Sequence, residues 1–249
     1  MVIQLSNKLK SLFIPETRVV VFTGAGISAE SGVPTFRGPE GLWKKFRVQD
    51  LATPEAFQAR PQLVWEWYGW RRGQIAEVKP NPGHRAVSEF EKYFVDFTLV
   101  TQNVDGLHDR AGNRKLLKLH GDIWEIRCVQ CGTARMDFTL SFNHLPPLCV
   151  CGGPLRPGVV WFGEPLPAGI FDEAVQKAEG CDLFFSVGTS AEVYPAAYLP
   201  SIAKEHGAYV VEVNIESSAA ASCADEVLLG KSGEVLPEIL NYLSRASLD

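Results

Sequence analysis

The sequence lacks the features that mark membrane proteins and nucleic-acid-binding proteins. None of its apolar runs approaches the roughly 18 residues that a membrane-spanning helix requires. Positive charge is also scarce, because 24 Lys and Arg face 29 Asp and Glu, which gives a net charge of −5. Such a chain lacks the excess of positive charge that is typical of proteins that bind nucleic acid or an anionic membrane. The N-terminal segment contains no long apolar stretch and no small-residue cleavage site, so we expect no secretory signal and a cytoplasmic location.

Short apolar runs predict a parallel sheet. They are continuous rather than alternating, as in strands that are buried on both faces. The five runs lie at residues 18–23, 96–101, 182–188, 208–214 and 225–230. Helix-like segments lie between or after them, at residues 83–94, 167–180, 194–207 and 234–246. This alternation predicts an α/β fold, a Rossmann-like open parallel sheet with helices on both faces.

Two stretches interrupt the alternation. Residues 36–80 are rich in Trp, Arg and Pro, and residues 121–157 contain clustered cysteines and many turn formers. We interpret both as insertions that pack together as a smaller lobe. The larger domain is then formed by residues 1–35, 81–120 and 158–249. A chain of 249 residues, 46% of them apolar, is long enough for this arrangement.

A glycine-rich turn follows the first predicted strand. Gly24, Ala25, Gly26 and Ala29 form the pattern G-x-G-x-x-A, a permitted form of the dinucleotide-binding fingerprint. The glycines allow a tight turn and let the backbone approach a diphosphate, whose charge the next helix N-terminus favours. A dehydrogenase would also have an acidic residue at the end of a second strand, about 20 residues further on. Asp50 has that offset, but the residues before it make a poor strand, so we expect a dinucleotide that transfers no hydride.

Four of the six cysteines have the spacing of a metal site. Cys128 and Cys131 are followed, after seventeen residues, by Cys149 and Cys151. Four thiolates from two short turns suit tetrahedral Zn²⁺, and a site filled by four cysteines is structural. The alternative is a redox pair, which should open a helix in a thioredoxin-like unit. The other two cysteines lie beside apolar segments, and we expect them to be core thiols.

Polar side chains follow the second predicted strand, where ligands of parallel sheets bind. Gln102, Asn103 and Asp105 lie in this position, and a capped turn is the alternative role for Asn103 and Asp105. His120 lies in "LLKLHG" and suits a general base, although a lone histidine is more often structural. Two further strands end in small or polar groups suited to ribose and adenine contacts, at residues 186–190 and 212–216.

Six motifs together resemble the sirtuin family, the NAD-dependent protein deacylases. They occur in the family's order and are "GAGISAESGVPTFRG", "TQNVDGLH", "KLHG", "RPGVVWFGE", "GTS" and "VNIE". Sirtuins consume NAD and transfer no hydride, which explains the absence of the dehydrogenase feature. The resemblance implies a Rossmann-like domain and a small lobe, in which residues 121–157 are the zinc-binding module and residues 36–80 the helical module.

The resemblance also implies a reaction. The acylated lysine of a protein substrate enters between the lobes, its amide oxygen attacks the anomeric carbon of the nicotinamide ribose, and nicotinamide leaves. His120 would act as general base on a ribose hydroxyl, and the products would be free lysine, nicotinamide and O-acyl-ADP-ribose. The implied cofactors are NAD, consumed as co-substrate, and one structural zinc ion. A protein ADP-ribosyltransferase and a non-catalytic sensor of NAD or ADP-ribose are the alternatives.

The matching motifs imply roles for individual residues. Asn103 and Asp105 match residues that hold the ribose and nicotinamide and act in catalysis with His120. The other positions expected to bind NAD are Gly24, Ala25, Gly26, Ala29, Phe36, Arg37, Gln102, Val104, Gly188, Thr189, Ser190, Asn214, Ile215, Glu216 and Ser232. The substrate peptide is expected to add as an extended strand between segments that contain Val160, Phe162, Gly163, Glu164 and Val193.

The stretch "WEWYGWRR" at residues 65–72 predicts the acyl preference. In a helix Tyr68 and Arg71 share a face, and an arginine on a buried face needs an anionic partner. The pair matches the Tyr-x-x-Arg of class III sirtuins, which remove acidic acyl groups such as succinyl and malonyl. The small residue Ala52 would leave room for a longer acyl group.

Two further expectations concern these arginines. We expect Arg71 to bind the distal carboxylate of the acyl chain, and an internal ion pair with Glu55 or Glu66 is the alternative. Arg72 points elsewhere on a helix, and we expect it to be solvated.

Overall fold

The computed structural model describes residues 3–36 and 41–246. Within these ranges the strands, β1 to β9 in chain order, are Val19–Thr23, Phe97–Thr101, Leu116–Lys118, Gly121–Cys128, Ala134–Met136, Leu155–Val159, Leu183–Val187, Tyr209–Asn214 and Glu226–Leu229. The helices, α1 to α11, are Asn7–Ser11, Gly26–Ala29, Leu42–Lys45, Val48–Leu51, Pro54–Ala59, Pro61–Glu77, Pro82–Tyr93, Leu107–Ala111, Ile170–Gly180, Leu199–Glu205 and Ser232–Ala246. None of these helices is both long and apolar enough to cross a membrane.

The larger sheet has six parallel strands in the order β3-β2-β1-β7-β8-β9. Its five longer strands confirm the five apolar runs identified in the sequence. The edge strand β3 is not among them, because it has three residues, all half-buried, and so lacks the apolar run of a buried strand. The order reverses between β1 and β7, and in such sheets ligands bind beside the carboxyl ends of the strands at the reversal.

Alternate residues of each central strand pack into two different helical layers. Val19 and Val21 on β1 belong to a core that includes residues of α7 and α11, whereas Val20 and Phe22 pack with α9 and α10. All five residues of β1 are buried, as expected for a strand covered on both faces. The predicted α/β fold with helices on both sides is therefore confirmed.

Two predicted helices begin later in the structure than the sequence pattern indicates, and the first is the segment predicted over 167–180, where α9 starts at Ile170. The segment predicted as helical over 194–207 begins with a single 3₁₀ turn, Ala196–Tyr198, and becomes α-helical only in α10. The helix after the glycine turn, α2, has four residues. It contributes only one turn of aligned peptide dipoles near a bound anion.

The smaller sheet is antiparallel, with the order β5-β4-β6. It shares an apolar core with the helices α3 to α6, to which Val64, Trp65, Ile123 and Leu155 contribute. The indole Nε1 of Trp65 donates to the carbonyl of Leu155 at 2.8 Å. The two sequence insertions thus pack against each other, joined by apolar burial and by a buried hydrogen bond.

The prediction that Arg72 is solvated is wrong. Its side chain is fully buried and donates to the carbonyls of Ile123 at 2.8 Å and Thr139 at 3.2 Å, with a longer contact to Glu125 at 3.5 Å. Asp137 lies 3.9 Å from it. Burial lowers the pKa of Arg72 to about 10, against the raising effect of Asp137. The helix α6 is covered on more than one side, so an arginine beside the cavity-facing residues is buried too.

Candidate active site

A cavity of about 560 Å³ lies between the carboxyl ends of the large sheet and the smaller insertions. This volume is within the range of small-molecule and cofactor sites. One side is formed by residues 24–26, 102–104, 188–190 and 214–219, which follow β1, β2, β7 and β8. The other side is formed by residues of α6, by Ala52 and by residues 159–164. The sheet thus brings together segments that are distant in sequence.

The glycine turn is packed directly on the loop that follows β7. Gly24 donates its N–H to the carbonyl of Val187 at 3.0 Å, and Gly26 donates to that of Gly188 at 2.7 Å. A Cβ added to Gly26 would lie 2.7 Å from the Gly188 oxygen, which real structures do not allow. The sequence pattern predicts that Gly26 lacks a side chain so that a diphosphate can approach. In the structure, the space that a Gly26 side chain would occupy is filled by Gly188, while the turn Gly24–Gly26 lines the cavity.

Gln102 and Asn103 join neighbouring strand ends. The amide of Asn103 donates to the Gly24 carbonyl at 2.9 Å, and that of Gln102 donates to the Thr189 hydroxyl at 2.9 Å. Both residues also line the cavity. Their bonds hold the loops after β1, β2 and β7 in a fixed relation.

Asp105 lies behind the wall of the cavity and not in its lining. It is buried, and its carboxylate accepts hydrogen bonds from the Ser28 hydroxyl and the Leu107 N–H, both at 2.8 Å. Burial raises the pKa of Asp105, and these hydrogen bonds oppose the rise. The capped-turn role considered for this residue is therefore present, since its side chain closes the turn into α8.

His120 presents a free nitrogen to the cavity. Its Nδ1 lies 3.0 Å from the Gln102 carbonyl, and because a carbonyl only accepts, this nitrogen carries the hydrogen. Nε2 then has an available lone pair. Burial lowers the pKa of His120, against a smaller raising effect of the bond to Gln102. A neutral imidazole at neutral pH, with one tautomer fixed, can accept a proton from a substrate.

Most of the other residues expected to bind NAD line the cavity, and two described ones lie outside its lining. Those in the cavity lining are Gly24, Ala25, Gly26, Phe36, Gln102, Asn103, Val104, Gly188, Thr189, Ser190, Asn214, Ile215 and Glu216. Ala29 is exposed outside this lining. Ser232 is buried where α11 begins, against Gly83, also outside the lining. Arg37 lies outside the described residues. The lining offers side-chain amides, hydroxyls and backbone groups, a donor set that fits ribose and phosphate oxygens.

The segments predicted to hold a peptide lie at the mouth of the cavity. Val160, Phe162, Gly163, Glu164 and Val193 all line it. Val160 donates its N–H to the His120 carbonyl at 2.9 Å, and Phe162 donates to that of Ala52 at 3.0 Å. The carbonyls of Val160 and Phe162 accept no hydrogen bond from any described residue. Backbone acceptors are therefore available on this segment.

Tyr68 and Arg71 are buried side chains of α6 that line the cavity together with Ala52. The guanidinium of Arg71 lies over the ring of Phe36 at 4.6 Å and over that of Trp67 at 5.2 Å. Among the described residues, no carboxylate lies within ion-pair distance of Arg71. Burial lowers the pKa of Arg71, against the raising effects of Tyr68 and Asp105, so the Asp105 carboxylate attracts the guanidinium from beyond ion-pair distance.

The internal ion pair considered for Arg71 is not formed by the two glutamates named for it. Glu66 and Glu55 are exposed, and Glu66 accepts a hydrogen bond from Gln62 at 2.8 Å. The aromatic rings on Arg71 supply cation–π attraction, which is weaker than a carboxylate partner. A buried cation in this setting favours an anionic ligand in the cavity.

The four clustered cysteines form a site that fits one metal ion. Their sulfur atoms all lie within 4.8 Å of one another. Cys128 and Cys151 have Sγ atoms 3.5 Å apart, and those of Cys131 and Cys149 are 3.8 Å apart. Tetrahedral zinc with Zn–S bonds of about 2.3 Å places its sulfurs about 3.8 Å apart. The donor set and spacing therefore fit a structural zinc.

The turns that carry these cysteines use the glycines after each pair. Gly132 and Gly152 both have positive φ, at +73° and +85°, a conformation that side chains disfavour. The N–H groups of Gln130 and Cys131 donate to the Cys128 sulfur at 3.4 and 3.5 Å. Such donors stabilise a thiolate, the form that binds metal.

Comparisons with known proteins agree on one family. The model of the Sir2 family matches residues 24–195. An NAD-dependent protein deacylase of Aquifex aeolicus is 52% identical over 226 residues, covering 90% of this chain and 95% of the relative. NAD-dependent protein deacylase 2 of Pyrobaculum aerophilum is 55% identical over 227 residues, covering 91% of each chain.

Solved structures give the same result. A Sir2 homolog–NAD complex superposes with a TM-score of 0.91 at 41% identity, covering 98% of this chain and 95% of its own. The structure of Sir2Af2 bound to a myristoylated histone peptide gives a TM-score of 0.77 at 34% identity, with 97% of both chains covered.

Proposed function

The chain belongs to the Sir2 family, the sirtuins, and is an NAD-dependent protein deacylase, and on this premise we propose that it removes succinyl and malonyl as well as acetyl groups from protein lysines. The observation that carries the proposal is Arg71. It is 4% exposed, lines the cavity and lacks an ion-pair partner among the described carboxylates. A buried cation without a partner is costly, and the distal carboxylate of an acidic acyl chain supplies the missing charge.

The chemistry of the pair suits a carboxylate. A guanidinium binds a carboxylate through two parallel hydrogen bonds, and the Tyr68 hydroxyl lies on the same face of α6 and lines the same cavity. An acetyl group has no carboxylate, so its binding does not use this charge. The small side chain of Ala52, 5% exposed in the lining, favours the longer malonyl and succinyl chains.

NAD is the co-substrate, and when bound it supplies an activated anomeric carbon with nicotinamide as leaving group. We propose that the turn at Gly24–Gly26 holds the diphosphate, and that Gln102 and Asn103 hold the nicotinamide ribose. Residues 188–190 and 214–216 then hold the adenosine end. His120 accepts a proton at Nε2, and the Gln102 carbonyl keeps its ring in place through Nδ1. Asp105 acts from behind the wall by fixing Ser28 and the turn into α8.

The protein substrate binds as an extended strand in this proposal. The free carbonyls of Val160 and Phe162 support it, because an added strand would supply N–H donors to them. Val193 lies on the second segment at the cavity mouth. A strand added here would place the acyl-lysine side chain in the cavity.

We also propose the division into lobes that the sequence predicts, with residues 36–80 and 121–157 in the small lobe. The separate antiparallel sheet and its shared core with α3 to α6 support this division. A cytoplasmic location is supported by the four unpaired thiols of the zinc site, which a reducing compartment preserves.

A panel of acylated peptides tests the proposed function. One peptide sequence would be prepared with acetyl, butyryl, succinyl, malonyl or myristoyl on a single lysine. Nicotinamide release and peptide mass would be followed with purified protein and NAD. Butyryl matches succinyl in chain length without the charge, so it separates charge from size. We expect kcat/KM for succinyl to exceed that for butyryl.

The same panel distinguishes the alternatives. A butyryl or myristoyl preference over succinyl would contradict an anion site at Arg71. Gain of ADP-ribose mass on the peptide would indicate a transferase, and ADP-ribose binding without nicotinamide release would indicate a sensor.

A further inference from the structure

The Tyr68 hydroxyl accepts one buried hydrogen bond. Its donor is the indole Nε1 of Trp161, at 3.0 Å, and both residues are 3% exposed. An indole N–H can only donate, so the tyrosine oxygen must be the acceptor. Within the described part of the chain, the hydroxyl hydrogen itself has no acceptor. Tyr68 is therefore a donor whose own hydrogen remains available at the cavity.

The indole of Trp161 is itself held firmly. The guanidinium of Arg156 lies 3.5 Å from the centre of its ring, and Phe57 lies 5.4 Å away. Arg156 makes two bonds to the carboxylate of Glu164, at 2.5 and 2.8 Å. The same carboxylate accepts the backbone N–H of Trp161 at 2.8 Å. The ring that orients Tyr68 is thus fixed by stacking on one side and by its own backbone bond.

We propose that Trp161 is a positioning residue for acidic acyl groups, whose indole N–H makes the Tyr68 hydroxyl a fixed hydrogen-bond donor to the acyl carboxylate. This inference rests on the proposed function, and it assigns a role to a residue that does not itself need to touch the carboxylate. A freely rotating hydroxyl would be donor in some orientations and acceptor in others. Occupying the acceptor site with an indole N–H leaves the donor orientation for the ligand, and an anion requires a donor.

Protonation of Tyr68 is consistent with this role. Burial raises the pKa of Tyr68 to about 12, although Arg71 and the bond from Trp161 act in the opposite direction. The hydroxyl therefore keeps its hydrogen throughout the neutral range. A tyrosinate would instead repel the carboxylate.

A double-mutant cycle tests the inference. Trp161→Phe removes the indole N–H and keeps an aromatic ring under Arg156, and Tyr68→Phe removes the hydroxyl. Each variant and the double variant would be assayed with succinyl and acetyl versions of one peptide. Trp65→Phe is the matched control, because it removes another buried indole bond, to Leu155, outside the cavity lining.

We expect Trp161→Phe to lower kcat/KM for the succinyl peptide about three- to tenfold, the size of one neutral hydrogen bond. The change should appear in KM, and the acetyl peptide should stay within about twofold. In the Tyr68→Phe background the same change should cause no further succinyl-specific loss. Trp65→Phe should leave the succinyl-to-acetyl ratio unchanged.

Three results would overturn the inference, two of them without touching the proposed function. Succinyl-specific losses that multiply in the double variant would show that Trp161 does not act through Tyr68, while leaving the acidic-acyl preference intact. Equal losses on both peptides would have the same meaning. A wild-type protein without a succinyl preference over butyryl would overturn the proposed function and this inference together.

Discussion

Adjacent arginines on α6 provide a paired test of how buried charge is used. Arg71 and Arg72 are 4% and 0% exposed, yet their surroundings differ. Arg71 has aromatic rings and no described carboxylate partner, whereas Arg72 has three carbonyl contacts and Asp137. Substitution by Met should therefore lower succinyl-specific activity at Arg71 and lower stability at Arg72.

Arg71→Met should affect catalysis selectively. A hydrogen bond to a charged group contributes about 1.5–3 kcal/mol, so loss of one lowers kcat/KM for the succinyl peptide about 10- to 150-fold. The acetyl peptide should stay within about threefold. Stability should be unchanged or higher, because a desolvated cation is replaced by an apolar side chain of similar length.

Arg72→Met should affect stability instead. It removes the donor from the buried Ile123 carbonyl of β4 and from the Thr139 carbonyl, and we expect a loss of about 2–4 kcal/mol. For a chain of this size that corresponds to a melting temperature lower by roughly 5–15 °C. The ratio of succinyl to acetyl turnover should remain that of the wild type at a temperature where the variant is folded.

Steady-state kinetics on paired peptides and thermal melts of the same preparations decide the outcome. Equal losses on both peptides in Arg71→Met, or a destabilisation of Arg71→Met as large as that of Arg72→Met, would make Arg71 a structural residue and refute the proposal.

Three further outcomes follow from the site. Burial lowers the pKa of His120 from its ordinary value of 6.5, and a base must be unprotonated to act. Deacylation should therefore persist as pH falls to about 6.5 and decline only below it. A deacylation rate that already declines above pH 7, or near wild-type turnover by folded His120→Tyr, would assign the base elsewhere. Cys128→Ser should lose its zinc by metal analysis and melt at a lower temperature, because metal affinity is linked to folding; full metal content with full activity would contradict the four-cysteine site. Gly26→Ala should weaken NAD binding in calorimetry, because its Cβ would lie 2.7 Å from the Gly188 oxygen; Gly180→Ala, with open space around it, is the control, and equal affinity in both would refute the packing argument.

The sequence predicts features that depend on local pattern. Continuous apolar runs identify the five central strands, and the cysteine spacing identifies the metal cluster, since each signal lies within a short segment. The strand β3 is not predicted by this pattern, because it is short and half-buried. The position of Asp105 behind the cavity wall is not predicted either, because the end of a strand indicates a ligand site but does not indicate which side chains point into it.

Arg72 shows a different limit. Helical periodicity gives the relative direction of side chains, but it does not say how many sides of a helix are covered. The side of α6 with Tyr68 and Arg71 meets the cavity, and Arg72 meets the backbone of β4. The contact between Trp161 and Tyr68, 93 positions apart, depends on tertiary structure in the same way.

The bonds from Arg72 to the backbone of β4 also bear on how acyl preference can change during evolution or by design. Helix α6 carries Tyr68 and Arg71, which we propose select the acyl group, while β4 ends at Cys128 of the four-cysteine cluster. One arginine, bonded to main-chain carbonyls, joins these two insertions. Transfer of Tyr68 and Arg71 to another protein therefore also requires Arg72 and a strand whose carbonyls can accept its hydrogen bonds, as β4 does here. The two insertions should be exchanged together. A protein that receives α6 alone should not fold correctly at the new acyl pocket, because Arg72 would lack its acceptors.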